Sequence, residues 1–476
     1  MKNFFKKTGV VFFIKVLGLV IAFLFQFLLS NNLSSTSYGE YTLFLTYVNM
    51  LTIFSLIGLD NSLIKEIPLV KRAYGEKILI LFLKIIIISA LIISFIFCIL
   101  FKKKYQLIFL ICVTSGIVIK SLITLLDSYF QGKGKIIEVN LYSVLLNNIL
   151  KVGLFISLKK YELYGAFCSY FTSEILCLFL RSIKLNIKIQ NKLKLLKNDK
   201  IKLIKYGITF TLITSIGILN QNSDKLILEH YLNLEAVAIY KVNQNYLSLL
   251  GIFVSPFLAF WPIISKLYKQ NKIKEIEETF SNIVKLILVL VIPSFILIYF
   301  RSTDLLGLFG KEYSKYSSIL ILLSLGALID TSAGPIGAVL TMTKYQKITL
   351  FNSITCLLFN IIFSLCLVKK YGILGVAFST TFSIILNNII SIVSNKILLN
   401  IMPYKLKILR NALLNLVVLF LIQKLYINNI FFENIVIDLL INLFLLGFCS
   451  VLINFILYFK TIKNILKKNG KKIKGF

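Results

Sequence analysis

The sequence predicts an all-α, polytopic membrane protein with about 14 transmembrane helices. Three observations predict it. The 476 residues are 58% hydrophobic, 15% charged, and have a mean hydropathy of +0.86, whereas a soluble domain is roughly half apolar and about a quarter charged. Apolar runs recur along the whole chain, and about 20 such residues cross a hydrocarbon core. The net charge is +33, yet 40 Phe and 23 Tyr exclude a disordered basic chain, and the hydrophobicity excludes a soluble nucleic-acid binder. The basic residues must therefore sit in loops.

The expected spans are 10–30, 41–59, 78–101, 105–126, 136–158, 161–181, 203–228, 236–264, 281–300, 316–340, 346–368, 372–395, 408–427 and 435–459. The first lacks a small-residue cleavage site, so it is expected to be retained and not removed as a signal peptide. The run 236–264 contains Pro256 and Pro262 and should bend or end near the second proline. No connection is long enough for a soluble domain. Basic loops resist translocation, so an inside N-terminus is favoured: it places 35 of the 53 basic residues inside, and both termini are cytoplasmic. The strongest vote is 181–205, with Arg181, Lys184, Lys188, Lys192, Lys194, Lys197, Lys200, Lys202 and Lys205. Lys102, Lys103 and Lys104 vote against it. Seven basic residues remain inside the spans.

Cofactor chemistry has little material here, and none is expected. There is one histidine, His230, so no His-ligated metal site can form. The seven cysteines lie in apolar runs without a C-x-x-C pair and read as small buried hydrophobes. No Gly-rich phosphate loop or His-based acid/base pair is present, so an enzyme is not expected.

The basic stretch 181–205 is also a seam. Shifted by 199 residues, Lys6, Gly18, Leu33, Tyr41, Tyr47, Leu51, Ile53 and Phe54 meet Lys205, Gly217, Leu232, Tyr240, Tyr246, Leu250, Ile252 and Phe253. A denser match aligns KKYELYGAFCSYFTSEIL (159–176) with KKYGILGVAFSTTFSIIL (369–386), an offset of 210. The chain thus reads as two six-helix parallel repeats plus two C-terminal helices, a transporter architecture. The expected divisions are 1–200, 201–400, and 401–476 with its basic cytoplasmic tail.

Polar residues in hydrocarbon are costly unless they face protein or water. Lys15, Gly18, Ala22 and Gln26 form one stripe on the first span, and their counterparts are Thr214, Gly217, Gln221 and Lys225. Thr42, Thr46 and Asn49 form another, with counterparts Lys241, Asn245 and Ser248, joined by Gln244. The fourth span offers Gly116, Lys120, Thr124 and Asp127, and the fifth Asn140, Ser143, Asn147 and Lys151. Small residues also permit plain helix packing, and Lys84 and Lys285 read as snorkelling to the interface. The candidate cavity residues are Lys15, Gln26, Thr46, Asn49, Gln221, Lys225, Lys241, Gln244 and Asn245, with Lys120 and Lys151 as additional candidates. Asp224, Asp330 and Glu174 are candidates for ion coupling or for structural ion pairs, the former beside Lys225.

These residues carry a family likeness. LSSTSYGEYTLF (33–44), GLDNSLIKEIP (58–68), QNSDKLILEHYLNLEAVAIY (221–240), SPFLAFWPIISKLY (255–268) and the Gly-Lys turn at 132–135 occur in an order and spacing that resemble the Wzx-type polysaccharide flippases of the multidrug/oligosaccharidyl-lipid/polysaccharide (MOP) exporter superfamily. Val237-Ala238 departs from the family's usual glycine before Tyr240. The resemblance implies a V-shaped, two-lobed transporter with a central cavity lined by the first, second, seventh and eighth spans. It also implies a cargo, an undecaprenyl-pyrophosphate-linked oligosaccharide moved from the inner to the outer leaflet of the bacterial cytoplasmic membrane for O-antigen or capsule synthesis. Membrane lipids and a polysaccharide polymerase or chain-length machinery are the other implied partners, and nucleic acid is not one. The alternatives are a cation-coupled multidrug exporter of the same superfamily and a non-transporting scaffold of a glycan-assembly complex.

Overall fold

The computed structural model describes residues 2–185, 197–254, 261–334, 336–402, 404, 406–427 and 434–473, with side chains throughout except at 2–8, 197–206, 208–210, 212–213, 261–263, 338, 427 and 458–473. Lys188, Lys192 and Lys194 of the basic seam and the SPFLAF part of the 255–268 motif lie outside the described residues. Every regular element described is helical: α1 (Lys2–Asn32), α2 (Ser35–Leu56), α3 (Leu59–Glu66), α4 (Arg72–Phe101), α5 (Leu107–Gly132), α6 (Ile136–Asn140), a π-turn (Leu141–Leu146), α7 (Asn147–Leu158), α8 (Glu162–Ile183), α9 (Lys197–Tyr231), α10 (Leu234–Gly251), α11 (Trp261–Lys269), α12 (Ile273–Leu308), α13 (Ser317–Ala333), α14 (Ile336–Thr341), α15 (Gln346–Leu399), α16 (Leu406–Ile427) and α17 (Ile435–Ile473). Hydrocarbon offers backbone N–H and C=O groups no partner, and a helix pairs them internally. Among the described residues nine helical stretches are long and apolar enough to cross a membrane, or ten if α2 and the segment 59–69, bent by 58°, make one span. The chain is a multi-pass membrane protein.

Two of those stretches are too long for one crossing. Ile136–Ile183 has 48 residues and Gln346–Leu399 has 54. At about 1.5 Å per residue they measure roughly 70–80 Å, against a core about 30 Å thick. Each is broken by one residue of positive φ: Glu162 (φ 46°, ψ −121°) and Gly372 (φ 56°, ψ −134°). These two residues are 210 positions apart, and so are the helix starts Leu107 and Ser317, and Ile136 and Gln346. The sequence match at that offset is therefore a match of helix starts and of the later break, although α13 ends at Ala333 before positive-φ Gly334 where α5 runs on to Gly132.

The 199-residue offset behaves likewise. Helix α1 ends at Asn32 and α9 at Tyr231, and α2 starts at Ser35 and α10 at Leu234. The caps correspond too. The Ser37 N–H donates to Ser34 Oγ at 3.2 Å, and the Ala236 N–H donates to Asn233 Oδ1 at 2.8 Å. Each cap satisfies one of the orphan donors of a helix start. Where the two differ, packing says why: a Cβ on Gly39 would lie 1.9 Å from the Leu234 carbonyl oxygen, so glycine is required there, while its counterpart Ala238 is simply buried.

Three expectations need correction. The run 236–264 is not one span that gives way at its second proline. Helix α10 ends at Gly251, before either proline, where the Ile252, Phe253 and Val254 N–H groups turn back to carbonyls three residues earlier. Arg181 on α8 and Arg301 on α12, counted with the loop charges, are 1% and 6% exposed and ion-paired, to Asp127 of α5 and Asp438 of α17. Finally, all seven cysteines are free, but Cys168 and Cys366 are exposed, not buried. A thiol behaves as a small hydrophobe, so a lipid-facing position suits it as well as a core one.

The described residues group into two compact units, Met1–Asn245 with Leu357–Val376, and Tyr246–Cys356 with Ala377–Phe476. Repeats divide the chain by duplication, and these units divide it by packing. In the first, Leu59, Leu63, Phe82, Ile86, Leu125 and Tyr129 join α3, α4 and α5 in one core. Edge-on contacts of Phe44 with Phe167 and Tyr170, centroids 5.1 Å apart, lock α2 to α8. In the second, Ile276, Phe280, Val284 and Ile336 pack with Ile401 and Ile408. Arg301, at a non-helical point inside α12, pairs with Asp304 and, at 2.7 Å, with fully buried Asp438. The Tyr426 hydroxyl donates to the same Asp438 at 2.8 Å.

Candidate functional site

A cavity of about 420 Å³ lies inside the first unit. Helix α2 supplies Asn49 and Thr52, the α2–α3 corner Asp60, α5 Lys120 and Thr124, and α9 Thr214, Gln221 and Asn222. Residues three, four or seven apart share a helix face. Lys120 with Thr124, and Thr214 with Gln221, are such pairs, so polar stripes on apolar helices open onto one space. Asn49, Lys120 and Gln221 were expected at a cavity, and Asp60 was missed. Its signal was the acidic residue beside Gly58 in the GLDNSLIKEIP motif.

Behind one wall sits a buried ion cluster. Glu174, on α8, is 1% exposed. Its Oε1 accepts from Lys151 Nζ at 3.0 Å and Asn147 Nδ2 at 3.0 Å, and Lys120 Nζ lies 3.8 Å away. The Lys151 ammonium also sits 4.8 Å from the Tyr170 ring centroid. One carboxylate thus faces two ammonium groups. The side chain of Lys120, 34% exposed, is both the looser partner of Glu174 and part of the cavity wall. A second cluster was missed by the sequence reading. Arg181 Nε and Nη2 donate to the two Asp127 oxygens at 2.6 and 3.1 Å, and Nη2 also donates to Ser143. Arg181 lies seven residues after Glu174, on the same face of α8. That spacing was the available signal, hidden by counting Arg181 with the loop charges.

Helix α9 holds Lys225 behind another wall. Its ammonium donates to the Gln221 carbonyl at 3.2 Å and to Asn222 Oδ1 at 3.0 Å, and Asn222 lines the cavity. Lys241, on α10, is half-buried. Fully buried Asp224 accepts from the Tyr240 hydroxyl at 2.7 Å and from Asn360 Nδ2 at 3.1 Å. Asn245 donates to the Tyr38 hydroxyl at 3.2 Å, which in turn donates to Gln26 at 2.8 Å. The buried Thr46 hydroxyl donates to the Thr42 carbonyl at 2.9 Å, and Gln244 is half-buried. So Lys120, Lys151 and Glu174 come together. Lys15 is exposed on α1, where its stripe-mate Gly18 packs on Val144. Asp330 belongs to the second unit and accepts from Asn388 at 2.9 Å.

Comparison with known proteins places this architecture. The MatE family matches residues 208–366. The chain is 30% identical over 200 residues to the capsular polysaccharide biosynthesis protein CapF of Staphylococcus aureus, a stretch covering 42% of this chain and 50% of CapF. It is 27% identical over 131 residues to the probable low-salt glycan biosynthesis flippase Agl15 of Haloferax volcanii, covering 27% of this chain and 28% of that one. The chain therefore spans half or less of the length of these two curated relatives. Among solved structures, lipid II flippase MurJ in an inward closed conformation matches with a TM-score of 0.70 at 20% identity, covering 95% of this chain and 98% of MurJ. An inward-facing multidrug resistance MATE transporter of the MOP superfamily matches with a TM-score of 0.67 at 13% identity, covering 83% and 98%. At these identities the two structures establish the shared fold. The polysaccharide biosynthesis protein family matches residues 4–268, more than half of the chain, and the chain belongs to that family.

Proposed function

We propose that the protein is a lipid-linked glycan flippase. It would move an oligosaccharide repeat unit on undecaprenyl pyrophosphate from the inner to the outer leaflet of the bacterial cytoplasmic membrane, with both termini inside. The observation that carries this reading is Lys120, a cation on the wall of a polar cavity in an otherwise apolar helix bundle. Each unpaired sugar hydroxyl would cost several kcal/mol in lipid, and a polar-lined cavity removes most of that cost. Lysine is a suitable point-charge partner for a pyrophosphate. Lys120 is held to Glu174 at 3.8 Å only, so it can turn to an anion while Lys151 keeps Glu174 paired. Lys225 adds positive potential behind Asn222. Asn49, Gln221 and Asn222 supply amides for the sugars. The polyprenyl tail stays in lipid. The two repeats, 1–200 and 201–400, alternate access to the cavity. An inside-negative potential favours outward anion movement by about 2.3 kcal/mol per charge per 100 mV. The names of CapF, Agl15 and MurJ support a glycan cargo.

The test is complementation of a flippase-null strain with Lys120→Met and Lys225→Met, reading surface glycan and inner-leaflet precursor. Loss of surface glycan with precursor build-up is expected from Lys120→Met. Full restoration by both variants would remove the cationic cavity from the mechanism. A second reading, a cation-coupled drug exporter, is supported by the MatE match over 208–366 and by buried Asp224. Drug resistance on expression, with no glycan phenotype, would favour it.

A further inference from the structure

A second cavity, of about 390 Å³, lies at one end of the first unit, apart from the one just described. Three connections meet there, following α1, α4 and α7, and in the inside-positive orientation all three face out of the cell. It is lined by Glu40, Gln106, Lys160, Tyr161, Glu162 and Tyr164, among others. Tyr161 and Tyr164 are 66% and 57% exposed. Among the described residues none of these six side chains makes a hydrogen bond or ion pair with the protein, so their donors and acceptors are free for a ligand.

The repeat supplies a control for this corner. In the second half, Lys370 and Tyr371 stand where Lys160 and Tyr161 stand in the first. A lysine and a tyrosine at the membrane interface are explained by anchoring alone. Glu162 and Tyr164 are not, because their counterparts are Gly372 and Leu374. The backbone at this point has φ 46° in the first half and 56° in the second, with ψ near −120° to −135°, a conformation glycine adopts freely and glutamate does not. The first half thus keeps a carboxylate where the fold wants glycine, and that carboxylate points to a role served by the cavity it lines.

We propose that this cavity is an outward-facing saccharide site. Exposed tyrosine faces provide stacking surfaces for the C–H faces of sugar rings. Carboxylates and an amide accept hydrogen bonds from hydroxyls, and Lys160 donates one. Few apolar side chains are needed, because a sugar brings its own polar rim. The site rests on the flippase reading only for the origin of its ligand, a lipid-linked glycan leaving the transport path or a released oligosaccharide.

The experiment uses the full chain in lipid nanodiscs. The probes are the repeat-unit oligosaccharide released by mild acid from the carrier lipid of the source cells, the intact lipid-linked form, and undecaprenyl pyrophosphate without sugar. Binding is read by saturation-transfer NMR and titration. The variant is E162G/Y164L, which installs residues the second half already carries at the same corner, so it is expected to fold. Both sugar-bearing probes should bind the wild type, and the variant should bind them about tenfold more weakly or worse. Stronger binding of the lipid-linked form identifies the membrane-tethered source, and equal binding of the free sugar identifies a released one. Unchanged binding by the variant, or no binding of either sugar-bearing probe to the wild type, overturns the site. Flipping in the complementation assay is read separately, so a failed site with intact flipping leaves the transport reading standing, and lost flipping with intact sugar binding does the reverse.

Discussion

The corners at 159–165 and 369–375 have the same fold and different chemistry. Both begin Lys-Lys-Tyr, both break a long helical tract with one positive-φ residue, and both then start a helix. The first carries Glu162 and Tyr164, and the second Gly372 and Leu374. The contrast continues inward. At the 210-residue offset, Lys120, Asn147, Lys151 and Glu174 have the counterparts Asp330, Leu357, Ile361 and Ile384. One repeat encloses a buried ion cluster, and at the matching positions the other has aliphatic side chains and Asp330, which accepts from Asn388. Duplication preserved the backbone at these corners, and at this offset the ion cluster belongs to the first copy, while α9 of the second copy adds Thr214, Gln221 and Asn222 to the cavity. A fold tolerates this because helix ends and breaks are set by a few turn residues, while the helix interior accepts any set of side chains whose polar groups are paired.

The sharpest way to break the comparison is through the ion cluster. Glu174→Ala leaves Lys151, 13% exposed, and the more open Lys120 without their carboxylate and should cost about 3–5 kcal/mol. The matching Ile384→Ala, at an exposed-to-half-buried face of α15, should cost less. Thermal unfolding in detergent checks the order, and a larger loss at Ile384 would contradict the assigned asymmetry. Next is the corner itself. Gly372→Glu imposes on the second half the strain the first half bears, and should destabilise by about 1–3 kcal/mol. The capping pair follows. Ser34→Ala and Asn233→Ala should each cost about 1 kcal/mol, and by similar amounts if the two helix starts are equivalent. The smallest effect is Glu162→Gly, where relief of strain is partly offset by glycine's freedom in the unfolded chain. A gain of up to about 1 kcal/mol is expected in the same unfolding measurement.

Much of the fold was legible because its signals are local. Apolar runs located the helices, and the tyrosines at 41 and 240, both fully buried, marked the repeat. The cavity was partly legible: stripes on α2, α5 and α9 were visible as spacings, and Asn49, Lys120 and Gln221 proved to share one space. Charge at helix ends was not. Arg181 looks in sequence like the first residue of a basic loop, and only its neighbours Asp127 and Ser143, brought from α5 and the π-turn, make it an interior residue. Lys15 was legible as part of a stripe, but the stripe does not tell its surroundings: α1 packs Gly18 on Val144 and leaves Lys15 exposed.

The sequence by itself determined that this chain crosses a membrane many times, that it is duplicated, and that basic side chains remain within its spans. Hydropathy and periodicity decide those matters, because each helix must pair its own backbone before it meets any other. Which lysine meets which carboxylate was decided only in three dimensions. Lys120, Lys151 and Glu174 come from three helices, and their pairing depends on how those helices rotate about their axes as their side chains interlock. No spacing along the chain encodes that rotation. The same holds for the outward cavity, whose six named residues come from three separate connections and the helix starts that follow them, and meet only because the fold gathers them at one end.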